Sequence, residues 1–127
     1  MLHHLTLWVP DLAGVAPSWR WLLGALGYHA DPAFDSVLLF RGDDGFALVL
    51  EESSDMVPGA LYSRMRPGLN HVAFTVPPPI ELATLVAVAG THGWSVLPID
   101  GHPIAGGAEV AYLEDPNGFE VELVAPA

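Results

Sequence analysis

The chain has 127 residues, half of them apolar, and 15 acidic residues against 4 basic ones give a net charge of -11. That length and apolar share allow one compact folded body, and the negative field repels a phosphate backbone, so no nucleic-acid partner is expected. The absence of cysteine excludes disulfides, thiolate catalysis and cysteine-held zinc; no apolar run reaches the ~18–20 residues that span a bilayer, and no signal-peptide pattern opens the chain, so a cytoplasmic protein without a membrane partner is expected.

Residues 3–9 alternate: His3, Leu5, Leu7 and Val9 share one side, and His4, Thr6 and Trp8 the other. This predicts a strand with one apolar face. Asp11 is placed to cap a helix running to about Leu26, with Pro17 predicting a kink or a late start near Ala16. Gly27 suits the left-handed stop. Strands are expected over 36–40 and 46–50 around Gly42-Asp43-Asp44-Gly45. Residues 53–68 read as a linker, with Pro58-Gly59 and Pro67-Gly68 as loop punctuation and a short helical piece near Leu61 to Met65.

The order then repeats. Residues 70–76 predict a strand, and Pro77-Pro78-Pro79 leads into a helix from Ile80 to about His92, ended by Gly93. Trp94 to Pro98 predicts a short strand, and a Gly-rich loop follows. Glu109 to Leu113 and Phe119 to Val124 form a hairpin around Asp115-Pro116-Asn117-Gly118.

The two halves match at corresponding positions. His4-Leu-Thr-Leu-Trp-Val-Pro10 returns as His71-Val-Ala-Phe-Thr-Val-Pro77 at an offset of 67, Gly27-Tyr28 as Gly93-Trp94 at 66, and Gly45-Phe46 as Gly118-Phe119 at 73. The expected organisation is one domain, 1–127, made of a first module (1–52), the linker (53–68) and a second module (69–127). The repeat superimposes His4 on His71 and sets Glu122 where the first copy has Val49. Strand parity puts His71, Ala73 and Thr75 on one face, with Glu120 and Glu122 on the matching face of the last strand. Two imidazoles and one carboxylate suit a borderline divalent ion such as Fe²⁺, Mn²⁺, Ni²⁺ or Zn²⁺, so His4, His71 and Glu122 are the expected metal ligands. A glutamate between Val121 and Leu123 is otherwise costly to bury.

The run from His4 to Asp11, the helix end Leu-Gly27-Tyr28, Asn70-His71-Val-Ala-Phe and Tyr112-Leu-Glu-Asp-Pro-Asn-Gly-Phe-Glu-Val-Glu122 resemble the vicinal-oxygen-chelate superfamily. That group includes glyoxalase I, extradiol dioxygenases, fosfomycin-resistance transferases and bleomycin-resistance binding proteins. The resemblance implies an α+β fold: two tandem βαβββ modules forming a cupped mixed sheet with helices outside. It also implies a metal chelated by two adjacent oxygens of a small substrate, and a homodimer whose modules are in some members exchanged between chains.

Val49 stands where glyoxalase I-like members carry a further acid, with Glu51 two residues on along the same face. Two histidines and one glutamate match the dioxygenases and the fosfomycin-type transferases. The dioxygenases place a tyrosine ten residues before the ligand glutamate, as Tyr112 precedes Glu122, and a histidine before that, for which His102 is the candidate. Tyr112 and His102 are thus the candidate proton-handling residues. Thr6, Trp8, Val49 and Thr75 are the candidate substrate-facing ones. The four arginines, with no lysine and nothing basic after Arg66, disfavour a phosphonate substrate. The expected function is a metal-dependent enzyme, dioxygenase-like first and isomerase- or lyase-like second. The alternative is a protein that sequesters an antibiotic or another drug-like natural product.

Overall fold

The computed structural model describes residues 1–34, 36–98 and 109–126. It contains two compact units, Met1–Leu61 and Tyr62–Ala127, whose boundary falls inside the segment expected to link the copies. The first unit runs β1 (His4–Trp8), α1 (Leu12–Ala25), β2 (His29–Phe34), β3 (Val37–Arg41) and β4 (Ala47–Glu51). The second runs β5 (His71–Thr75), α2 (Leu82–Ala89) with a 3₁₀ turn at Gly90–His92, β6 (Ser95–Leu97), β7 (Glu109–Glu114) and β8 (Glu120–Ala125). Each is a βαβββ module, and the fold class is α+β. The sheet orders are β1-β4-β3-β2 and β5-β8-β7-β6, with the first pair of each parallel and the others antiparallel.

The duplication extends to register. His4 lies opposite Ala47 and Thr6 opposite Val49; in the second unit His71 lies opposite Glu120 and Ala73 opposite Glu122. The turns repeat as well. Gly45 and Gly118 both have φ of 88°, a left-handed conformation that a side chain would strain. Each donates its N–H, at 3.1 Å, to the carbonyl three residues back, of Gly42 and of Asp115. In the second copy Asp115 is itself an acceptor: its buried Oδ1 takes the N–H groups of Asn117 at 2.8 Å and Phe119 at 2.9 Å.

Parity assigns the core. In the first unit Leu7, Val9, Leu38, Phe40, Leu48 and Leu50 are buried, together with Val15, Trp19, Leu22 and Leu23 of α1. In the second, Phe74, Val76, Leu113, Val121 and Leu123 are buried, as are Leu82, Leu85 and Ala89 of α2. One face of each sheet is therefore apolar, and its other face is free to carry the polar residues.

Three local expectations change, and one strand, β2, is added to them. Asp11 caps α1, accepting from Gly14 N–H at 3.2 Å, and the helix begins at Leu12 and runs through Pro17, with no late start. Burial of Val15, Trp19, Leu22 and Leu23 outweighs the single backbone bond that proline removes. The second helix begins at Leu82, not Ile80, because the Ile80 N–H is already turned back onto the Pro77 carbonyl at 3.0 Å. Strand β2 had no alternating pattern to announce it. The stretch Leu61 to Met65 is irregular and ends in a turn at 64–65, with no helix. No described helix is long and apolar enough to cross a membrane.

Candidate functional site

The polar face of the second sheet carries His71, Ala73 and Thr75 on β5, Glu120, Glu122 and Val124 on β8, and Val110, Tyr112 and Glu114 on β7. Tyr112 is directly opposite Glu122 in register, and Glu114 opposite Glu120. His71 Nε2 lies 3.1 Å from Glu122 Oε2. The Tyr112 hydroxyl donates to the other oxygen, Oε1, at 3.2 Å. The His71 and Tyr112 rings meet edge to face, with centroids 6.0 Å apart. Three of the sequence-predicted residues therefore form one cluster within one unit.

Tyr112 is buried, and its phenol is held above its ordinary range, first by desolvation and then by the Glu122 carboxylate beside it. At neutral pH it carries its proton and acts as a donor.

The other edge of His71 is also held. Nδ1 is 2.8 Å from Asn70 Oδ1 and 3.4 Å from Glu120 Oε2. The Asn70 amide donates to the Arg64 carbonyl at 3.0 Å, which fixes its oxygen toward the ring. The Arg64 guanidinium pairs with Glu114, reaches Glu120 Oε1 at 3.5 Å and donates to the Gly118 carbonyl at 3.3 Å. Glu120 is buried, and its Oε2 has no hydrogen-bond partner. Tyr62 anchors the segment that delivers Arg64: its ring stacks on Phe119 at 4.0 Å, and its hydroxyl donates to the Leu69 carbonyl.

His4 lies at the start of β1 in the first unit, exposed, with its Nδ1 2.8 Å from Nδ1 of His3. On the same face, Thr6 is opposite Val49 and Trp8 opposite Glu51. Trp8 is 46% exposed and donates its indole N–H to Glu51 Oε1 at 2.8 Å. Thr75 is exposed on β5. His102 lies outside the described residues. Among the described residues, no group of three or more His, Asp or Glu side chains is already arranged to hold a metal ion.

No family model matches the chain. The uncharacterized protein YqjT of Bacillus subtilis is 34% identical over 128 residues, with 99% of each chain covered. A solved structure of a candidate glyoxalase from Bacillus halodurans is 33% identical, covering 99% of this chain and 96% of that one, with a TM-score of 0.85. The chain belongs to the glyoxalase/bleomycin-resistance/dioxygenase group, the vicinal-oxygen-chelate superfamily. A glyoxalase/dioxygenase from Nostoc punctiforme shares this superfamily fold at 21% identity and a TM-score of 0.72, covering 100% of this chain and 91% of that one. The fosfomycin resistance protein FosX of Listeria monocytogenes shares it at 21% identity and 0.67, covering 100% of this chain and 93% of that one.

Arg64, Asn70 and Glu120 had no assigned role in the sequence. A signal was present. Glu114, Glu120 and Glu122 share one sheet face, and so dense a set of carboxylates calls for a cation nearby.

Proposed function

We propose that this member of the superfamily is a metal-dependent enzyme acting on a small substrate with two adjacent oxygens, and that His4, His71 and Glu122 hold one divalent ion. The observation that carries the reading is the setting of His71, whose two ring nitrogens both face acceptor oxygens. A neutral imidazole has a single N–H and can satisfy one of those edges. A positive charge at the other edge, a second ring proton or a metal ion, completes the arrangement with Glu122. The donor chemistry suits a borderline divalent ion, Fe²⁺, Mn²⁺, Ni²⁺ or Zn²⁺.

His4 joins the set by symmetry, since it holds in the first copy the register position that His71 holds in the second. With Val49 in place of a second acid, the duplicated positions supply two imidazoles and one carboxylate. The set is completed within one chain or across a homodimer that exchanges modules.

A bound divalent ion would supply Lewis acidity and a template for the two substrate oxygens. The chain's own residues supply the rest. Glu122 carries the negative charge of the site. Tyr112 holds a proton on its hydroxyl beside that charge and can pass a hydrogen bond to a substrate oxygen. The reaction class we assign is oxygen insertion into a catechol-like or enediol substrate. Both atoms of O₂ enter the product and a carbon–carbon bond beside the diol breaks, so no external reductant is consumed.

The test is O₂ uptake when anaerobic, Fe²⁺-loaded protein and a panel of diols are aerated. One O₂ consumed per diol cleaved supports the assignment. No uptake with any diol redirects it to isomerase or lyase chemistry on the same ligands.

A second reading rests on Trp8. Its exposed indole, pinned by Glu51 on the face of Thr6 and Val49, offers a flat surface for an aromatic ligand. Tight binding of a polyaromatic antibiotic by chelator-treated protein, with the drug recovered unchanged, would favour sequestration over catalysis.

A further inference from the structure

We propose that Asn70 and Glu120, tied together by Arg64, are positioning residues that hold the Nδ1 edge of His71 and so present its Nε2, paired with Glu122, to the metal. The inference rests on the metal reading above and adds the chain's own device for orienting that ligand.

Three contacts carry it. Asn70 Oδ1 is 2.8 Å from His71 Nδ1, well inside hydrogen-bond range, and Glu120 Oε2 follows at 3.4 Å. Neither can donate there, because the Asn70 amide nitrogen is committed to the Arg64 carbonyl and Glu120 is a carboxylate. The proton of that contact therefore sits on Nδ1. Glu120 Oε2 is buried without a hydrogen-bond partner, and the Nδ1–H is the donor it faces. An orphaned buried carboxylate oxygen is costly unless such a donor is at hand.

Arg64 joins the two acceptors. Its carbonyl orients Asn70 and its guanidinium holds Glu114 and Glu120. A metal-binding histidine is oriented through its other nitrogen, and partners of this kind typically set metal affinity within a factor of about 10–100.

Two measurements on the full chain test this. The first is the long-range ¹⁵N spectrum of the histidine rings in metal-free protein, taken where the His71 ring is neutral, which separates the two tautomers. His71 is expected as the Nδ1–H form, and an Nε2–H form overturns the proposal. The second is calorimetric titration with Zn²⁺ for wild type, Asn70→Ala, Asn70→Asp and Glu120→Ala. Asn70→Ala and Glu120→Ala are expected to lower affinity about 10–100-fold each, and Asn70→Asp, which keeps the acceptor, to recover most of the loss.

Affinities within twofold of wild type for both alanine variants, in folded protein, overturn the proposal. Should Glu120→Ala fail to fold, the Asn70 pair decides. Wild type that binds no Zn²⁺ but shows the Nδ1–H ring contradicts the metal reading and leaves the orienting role of Asn70 and Glu120 standing.

Discussion

The Tyr112 hydroxyl donates to Glu122 Oε1 at 3.2 Å from the residue directly opposite it on the neighbouring strand. Ten residues apart in sequence, the two are brought together by the tight hairpin at Asp115–Gly118, so their pairing follows from turn length and strand parity. Tyr112→Phe removes the donor and leaves the carboxylate oxygen unpartnered. The expected cost is about 1–2 kcal/mol in urea unfolding. Turnover is expected to fall about a hundredfold or more with metal content unchanged. Unchanged turnover would remove Tyr112 from proton handling.

All three tyrosines of the chain, Tyr28, Tyr62 and Tyr112, have phenols raised above their usual value of 10.0, in each case first by burial. A raised folded-state pKa means the neutral phenol is favoured by folding. That stability is complete below pH 10 and is lost as pH rises through the folded values. Absorbance at 295 nm is expected to show no tyrosinate in native protein until above pH 10, with unfolding following. A tyrosine titrating below pH 10 in folded protein would contradict this.

The repeat was legible because its signals are backbone signals. Gly27 and Gly93, and Gly45 and Gly118, mark the same left-handed turns in both copies, and a positive φ leaves few other residues to choose from. Once the turns were fixed, alternation assigned the faces, and His71, Glu122 and Tyr112 met as parity requires. Strand β2 was not legible. Its sequence, His29-Ala-Asp-Pro-Ala-Phe34, has proline at its centre and no alternation, and pairing with β3 decides its conformation. Arg64 was not legible for another reason. It lies in a segment without periodicity, and its role depends on Tyr62 packing on Phe119, a contact between residues 57 positions apart.

Arg64 stands against Glu114 and the buried Glu120 and is itself only 19% exposed. Arg64→Ala leaves those carboxylates facing each other without a cation. The expected loss is about 3 kcal/mol, the scale for breaking a buried pair from one side, and adding Glu120→Gln is expected to recover part of it. A loss below about 1 kcal/mol would mean that solvent already screens the pair.

The two equivalent turns differ in burial and should respond differently. Asp115 is buried and accepts two backbone N–H groups, whereas the exposed Asp44 accepts one, from Phe46 at 3.0 Å. Asp115→Ala is expected to cost about 2–3 kcal/mol and Asp44→Ala under about 1 kcal/mol. Equal losses measured by thermal unfolding would show that burial of the aspartate is not what separates the copies.

The most direct test of the central claim is metal analysis of protein purified without chelators, beside His4→Ala, His71→Ala and Glu122→Ala. The prediction is near one divalent ion per chain in wild type and its loss in each of the three variants, all still folded. Metal retained in both His71→Ala and Glu122→Ala, or none bound by wild type even after reconstitution with Fe²⁺, Mn²⁺, Ni²⁺ and Zn²⁺, would contradict it.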